Sequence, residues 1–264
     1  MLIAQLSDPH IRAEGELYQG VVDSNSMFAE ALAHVHALDR RPDLLVLTGD
    51  LVDEGRADEY AMARTLLSAS RIPFLVIPGN HDHRERFRAA FSDQAYLPKA
   101  GPLHWCVDDH PVRIIGLDSC VVGKHHGHID AEGLAWLART LAKDTAKPTL
   151  LMLHHPPFTS GIPYMDAYGC MDAQPLEEVV RSAPNVELVL CGHVHRTMLR
   201  RWGGTVICSC PSTTTEIDLQ LRADAPPQSH VGPRGCMLHL WDARYGMVSH
   251  LSQIGDFAGP YAFA

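Results

Sequence analysis

Five short apolar runs in this chain each break off at a group of Asp, His or Asn side chains, and that punctuation constrains the fold most. Leu2 to Leu6 runs into Asp8-Pro9-His10, Leu44 to Leu47 into Gly49-Asp50, and Phe74 to Ile77 into Gly79-Asn80-His81-Asp82. Further along, Thr149 to Leu153 stops at His154-His155, and Val186 to Leu190 stops at Gly192-His193-Val194-His195. Amphipathic stretches separate the first three runs. Ser24 or Asn25 is the expected cap of a helix reaching Leu38, and Asp58 to Ala69 reads as a second helix. Such a strand–helix–strand–helix–strand rhythm calls for parallel strands joined by crossover helices.

Leu103 to Val107 and Val112 to Leu117 add two β-rich runs, and helices are predicted from Asp130 to Leu141 and from Pro175 to Arg181. The last third, with Thr205 to Ser209, Gly235 to Trp241 and Met247 to Leu251, reads as antiparallel strands. Pro226-Pro227 and Pro233 mark a loop rather than a linker, so one α/β domain of two packed sheets flanked by helices is expected. A chain of 264 residues buries enough surface for a core without covalent staples. No apolar run is long enough to cross a membrane, and MLIAQLSDPH lacks the charged-then-apolar pattern of a secretory signal. Seven cysteines form no disulfide framework or zinc knuckle; Cys208 and Cys210 read as small buried hydrophobes, and a reducing cytoplasm is the expected compartment.

Strand carboxyl ends are where ligands gather in α/β sheets, because loops converge there while the strands stay rigid. The glycines before Asp50, Asn80 and His193 allow sharp turns, and Asp, His and Asn are the donors that hold divalent cations. One such cluster is commonly a turn or a hydrogen-bonded pair. Five of them, all at strand ends in a chain with seventeen histidines, point to a metal site.

The blocks Asp8-x-His10, Gly49-Asp50-x-x-Asp53, Gly79-Asn80-His81-Asp82, His154-His155 and Gly192-His193-x-His195 resemble the five signature blocks of the calcineurin-like metallophosphoesterases. They occur in the family's order across about 70% of the chain, between residues 8 and 195. The narrower resemblance is to bacterial class III cyclic nucleotide phosphodiesterases and glycerophosphodiesterases. It implies a four-layer α/β-β/α sandwich of two mixed sheets, with residues 1–264 as one metallophosphoesterase domain. Residues 205–264 would be a β-rich C-terminal extension that helps form a homo-oligomer, with Thr213 to Gly235 as a candidate dimer arm. It further implies two divalent or mixed-valence metal ions, of Mn, Fe, Co or Zn. One would be held by Asp8, His10, Asp50 and His195, the other by Asp50, Asn80, His154 and His193, with Asp50 bridging.

Two cations about 3.5–4 Å apart would acidify a shared water and bind a phosphate oxygen, meeting both obstacles to phosphodiester hydrolysis by a metal-bridging hydroxide. Two divalent ions, two carboxylates and one hydroxide would sum to about +1, the four imidazoles and the amide being neutral, which matches a diester's single negative charge. Asp50 and His81 are the expected catalytic residues. His81, Asn80 and Tyr18 are expected at the substrate, with His81 donating a hydrogen bond or protonating the leaving oxygen. Asp82 is expected to cap the following helix, His155 to support a ligand, and Asp53 to organise its loop. His125, His126 and His128 read as a solvated loop in preference to a third metal site, and the four tryptophans as core.

Protein phosphatases of this superfamily carry Arg after the second aspartate of the second block, where this chain has Glu54; Arg56 or Arg12 would have to replace it. The departure favours diesters over monoesters. Glycerophosphodiesters or a broad diesterase range are the first expectation and 3′,5′-cyclic nucleotides the alternative. Specificity is expected from Glu14 to Gly20, His83 to Ala100 and Ser160 to Cys170. A scaffold that has lost its metals is the rival of another class, but all seven ligand positions are filled. A net charge of −9 without Lys/Arg runs argues against long nucleic acid as partner.

Overall fold

The computed structural model describes residues 1–262. Its first half alternates as predicted: β1 (Leu2–Leu6), α1 (Ser24–His36), β2 (Leu44–Thr48), α2 (Ala57–Ser68), β3 (Phe74–Ile77) and α3 (Arg84–Ala90). The middle carries β4 (Trp105–Val107), β5 (Arg113–Leu117), β6 (Gly127–His128), α4 (Ala131–Ala142), β7 (Thr149–Leu153), α5 (Pro163–Asp166), β8 (Cys170–Met171) and α6 (Gln174–Arg181). The remainder is β: β9 (Val186–Cys191), β10 (Met198–Trp202), β11 (Thr205–Ser209), β12 (Thr215–Ile217), β13 (Ser229–Val231), β14 (Arg234–Asp242) and β15 (Gly246–Ile254).

Two mixed sheets result, ordered β15-β14-β1-β2-β3 and β10-β11-β9-β7-β5-β4. Both faces of the central strands are buried, so their sequences are continuously apolar and successive residues serve different layers. Leu45 and Leu47 meet Phe28, Tyr60 and Phe87 of the helices on one outer face. Leu151 and Leu153 meet Leu137 and Val180 on the other. The alternate residues Ile3, Val46, Ile77, Leu150, Met152 and Leu190 fill the seam between the sheets. The four-layer expectation holds.

Several local readings change. Asp23 is the cap of α1, its carboxylate accepting from the Ser26 amide. Thr205–Ser209 is not part of an antiparallel set alone: β11 runs parallel to β9 and antiparallel to β10, a strand whose exposed arginines hid it. The stretch after residue 205 completes the cores of both sheets, because β11 pairs with β9 and β14 pairs with β1. Among the described residues of that stretch, β12 and β13 are the strands outside the two main sheets. The cysteines are free, and Cys208 and Cys210 are fully buried. Trp105 and Trp202 are core, with Trp136 and Trp241 packed at its margin.

A polar chain crosses the seam beside β1. His239 of β14 faces Gln5 Oε1 through Nε2 (3.1 Å) and Ser249 Oγ through Nδ1 (2.8 Å). Gln5 Nε2 donates to Thr48 Oγ1 (2.9 Å) and to the Cys191 carbonyl (3.0 Å), tying the two sheets together. Burial pushes the His239 imidazole down to about 3, so the folded protein keeps it neutral. Below about pH 6.5 the unfolded chain binds a proton there that the folded chain refuses, so stability falls with acidification until the folded value is reached. We expect His239→Gln to lose about 2 kcal/mol less than the parent chain between pH 7 and pH 5. Urea unfolding of both proteins at the two pH values checks this, and parallel losses would contradict it.

Candidate metal centre

The five polar strand ends come together at one edge of the seam. Asp8 and His10 follow β1, Asp50 follows β2, and Asn80 and His81 follow β3. Opposite them, His154 and His155 follow β7, while His193 and His195 follow β9. Backbone hydrogen bonds fasten neighbouring loops: the Asp8 amide donates to the Gly49 carbonyl, His10 to Asp50, and Gly192 to His154. Asp8, His10, Asp50, His193 and His195 all adopt left-handed backbone conformations, with φ between 45° and 70°. Non-glycine residues avoid this region by roughly 1 kcal/mol or more each, so the loops hold local strain that the sheets sustain.

Two groups of side chains share Asp50. Asp50 Oδ2 lies 3.2 Å from His154 Nε2 and 3.8 Å from His10 Nε2. On one side, His10 Nε2 and His195 Nε2 face each other at 3.1 Å, and His195 Nε2 is 3.4 Å from Asp8 Oδ1. On the other, His154 Nε2 is 3.2 Å from Asn80 Oδ1, and the His193 ring stands edge-on to that of His154 at 5.1 Å. His154 Nδ1 donates to the Thr48 carbonyl at 2.8 Å, and His195 Nδ1 to Thr215 O at 3.1 Å. With Nδ1 spent in this way, each ring turns a lone pair at Nε2 toward its neighbours.

The donor chemistry fits cations. Asp8 and Asp50 are almost wholly buried and need positive charge nearby. Burial opposes protonation of His154, but the Asp50 and Asp8 carboxylates outweigh it and push the imidazole up to about 9. Burial and His154 together push His193 down to about 3. His193 Nε2 is buried without any hydrogen-bond partner, an orphaned lone pair of the kind a cation satisfies.

His81 lies at the rim, its amide donating to Asp50 Oδ1 (2.8 Å) and its Nδ1 to the Asp53 carbonyl (2.7 Å). Burial works against the charged ring, yet Asp50 and Asp53 push it up to about 10. Tyr18 stacks on His10, with centroids 4.6 Å apart. Asp82 does not cap the next helix: His83 does, and the Asp82 carboxylate accepts from the Leu51 and Gly79 amides and from Tyr60 Oη. It therefore pins the second loop to the third. His155 is held by Ser119 Oγ and the His125 carbonyl, and Asp53 receives Arg12. Arg12 also meets Glu16, Glu54 and Glu59, and Arg56 meets Glu16, Glu54 and Asp58. Carboxylates engage both arginines, and Arg12 also lines the cavity over the centre.

A cavity of about 470 Å³ opens over these residues. Leu17 to Gly20 and Tyr164, Met165 and Tyr168 line it, as expected of two of the three specificity segments; among the described residues, nothing from His83 to Ala100 does. His125 also lines it, 6.2 Å from the His81 ring, although its polar loop reads as solvated in sequence. Its only signal was the histidine itself. Ile217, carried by β12, gave none.

Gly79 shows how tightly the loops meet: a Cβ there would lie 2.2 Å from Asp50 Oδ1 and 2.3 Å from the Asp50 amide nitrogen. Gly79→Ala must displace the Asp50 backbone, and we expect a loss of about 1–3 kcal/mol of stability with weakened manganese binding. Thermal unfolding and equilibrium dialysis check both, and unchanged values would refute this close-approach account.

Known proteins share the sequence and the fold. The calcineurin-like phosphoesterase family matches residues 1–197. A probable glycerophosphodiester phosphodiesterase GpdQ from Arcobacter nitrofigilis is 35% identical over all of this chain and 97% of its own. The 3′,5′-cyclic adenosine monophosphate phosphodiesterase CpdA of Escherichia coli K12 is 30% identical over 81% of this chain and 76% of its own. A crystal structure of a dimetal phosphatase from Danio rerio superposes with TM-score 0.65, over 97% of this chain and 99% of that one, at 14% identity.

Proposed function

The chain belongs to the calcineurin-like phosphoesterases, and from that premise we propose that it hydrolyses small phosphodiesters, glycerophosphodiesters first among them, at a pair of divalent cations. The observation that carries this reading is the convergence of seven donor side chains with Asp50 shared between their two groups. Asp8, His10, Asp50 and His195 would hold one cation, and Asp50, Asn80, His154 and His193 the other. Bound there, the cations would polarise the phosphoryl group and lower the pKa of the attacking water.

The chain's own residues do the rest. Asp50 presents one oxygen between the two imidazole groups, while the His81 amide holds the other. Thr48 and Thr215 fix the ring orientations of His154 and His195 through main-chain acceptors. His81, with Nδ1 occupied by the Asp53 carbonyl, has Nε2 left to donate to a phosphate oxygen or to the departing alkoxide. Tyr18 braces His10 and lines the cavity where the substrate's organic part would lie. Asn80 combines a ligand role with a place in the cavity wall.

Cyclic nucleotides are the second reading, favoured by the named activity of the Escherichia coli relative. Among the described residues no helix is long and apolar enough to cross a membrane. The free cysteines support a reducing, cytoplasmic setting. Exposed Leu219, Leu221 and Val231 on and beside the β12–β13 hairpin support a homo-oligomer built through that arm.

Asp50→Asn tests the centre. We expect metal content to fall from two equivalents to below one and kcat/KM on bis-p-nitrophenyl phosphate to fall about a thousandfold. Elemental analysis and steady-state kinetics measure these, and full occupancy with full activity would refute the bridging role. Dialysis against a chelator should abolish turnover and manganese should restore it. A glycerophosphoethanolamine and cyclic AMP panel decides the substrate: a preference for cyclic AMP by orders of magnitude would promote the second reading.

A further inference from the structure

The cavity over the metal centre does not end at Tyr164 and Met165. These two residues, with Gln19 and Ile217, also bound a second cavity of about 290 Å³ between α5 and the β12–β13 hairpin. Four shared lining residues make the two spaces neighbours with a common wall. The walls of the second space mix apolar and polar groups, with Ile162 and Pro163 on one side, Pro226 and Pro227 on the other, and Gln19 and Gln228 beside them. Its single charged lining residue is Asp218.

A phosphodiester carries two alcohol substituents. Once the phosphate sits over the centre, they must extend away from it, and the second cavity offers room for one of them. The charge of the lining then decides which substituents are welcome. Among the described residues no Lys or Arg lines the space, so an anionic substituent would meet the Asp218 carboxylate, whose imidazole partner His230 stands outside the lining. An ammonium substituent would meet opposite charge at Asp218 and an aromatic side chain at Tyr164, two neighbours that favour a cation. The Gln220 amide donates to Asp218 Oδ2, and His230 Nε2 lies 3.2 Å from Oδ1, so the carboxylate is held in place.

Resting on the diesterase reading, we propose that this second cavity is the subsite for one alcohol substituent of the diester. Asp218 and Tyr164 make it prefer an alcohol that bears an ammonium group over a neutral or anionic one. The subsite forms where the β12–β13 hairpin faces α5, so the substrate range is set in part by a segment beyond the signature blocks.

The test uses the manganese-loaded protein and three probes: glycerophosphocholine, glycerophosphoglycerol and methyl p-nitrophenyl phosphate. We expect the parent chain to favour the choline diester over the glycerol diester in kcat/KM, and Asp218→Asn to shrink that ratio about fivefold, chiefly through KM. Ala225→Trp, which fills the space from the hairpin side, should raise KM for glycerophosphocholine about tenfold more than for the methyl diester. The proposal is overturned if Asp218→Asn leaves the choline-to-glycerol ratio unchanged, or if Ala225→Trp affects all three probes alike. In either case turnover of the methyl diester would leave the diesterase reading standing. A parent chain inactive on all three would sink that reading and the subsite together.

Discussion

Two carboxylates in a place that water scarcely reaches set the terms for the rest of this molecule. Asp8 and Asp50 sit at the edge of the seam, and their charges are tolerable only against positive charge and donated hydrogen bonds. Imidazoles crowd around them for that reason, with Nδ1 of His154 and of His195 tied to main-chain carbonyls so that Nε2 faces the carboxylates. His193 contributes a lone pair with nothing to receive it. The arrangement is a poor apolar core and a good seat for cations, and the surrounding sheets make it affordable.

Rigidity and strain divide the labour. The strands supply registered, fully buried ladders, and the loops at their ends take up the unfavourable left-handed conformations. Asp82 shows how the loops are kept from relaxing: one carboxylate gathers two amides and a tyrosine hydroxyl, and burial together with Asp50 pushes it up to about 7. Similar folds carry different tasks. Function therefore has to be argued from the side chains at the edge, and here they favour hydrolysis.

Much of this was legible in the chain itself. Strands buried on both faces announce themselves as unbroken apolar runs, and the donors that end them are visible as residue types. What escaped depended on the main chain or on distant partners. The carbonyls of Thr48 and Thr215 that orient two imidazoles have no sequence signature. Asp82 reads as a cap because it precedes a helix, but deeper amides compete for it and win. His125 sits in a polar loop that happens to fold over the cavity. β10 has no such signature, because Arg200 and Arg201 are exposed and an edge strand shows no buried alternation.

The place of β14 beside β1 has a consequence for how the protein is made. β1 is flanked by β2 on one side and, on the other, by β14, which follows every signature block in the chain. Until that late segment emerges, the nascent first sheet carries a bare edge and Gln5 lacks the imidazole that faces its carbonyl. Maturation of the centre thus waits for β14, and a chain that stops short of it would hold every signature block yet not the complete sheet that keeps them in register.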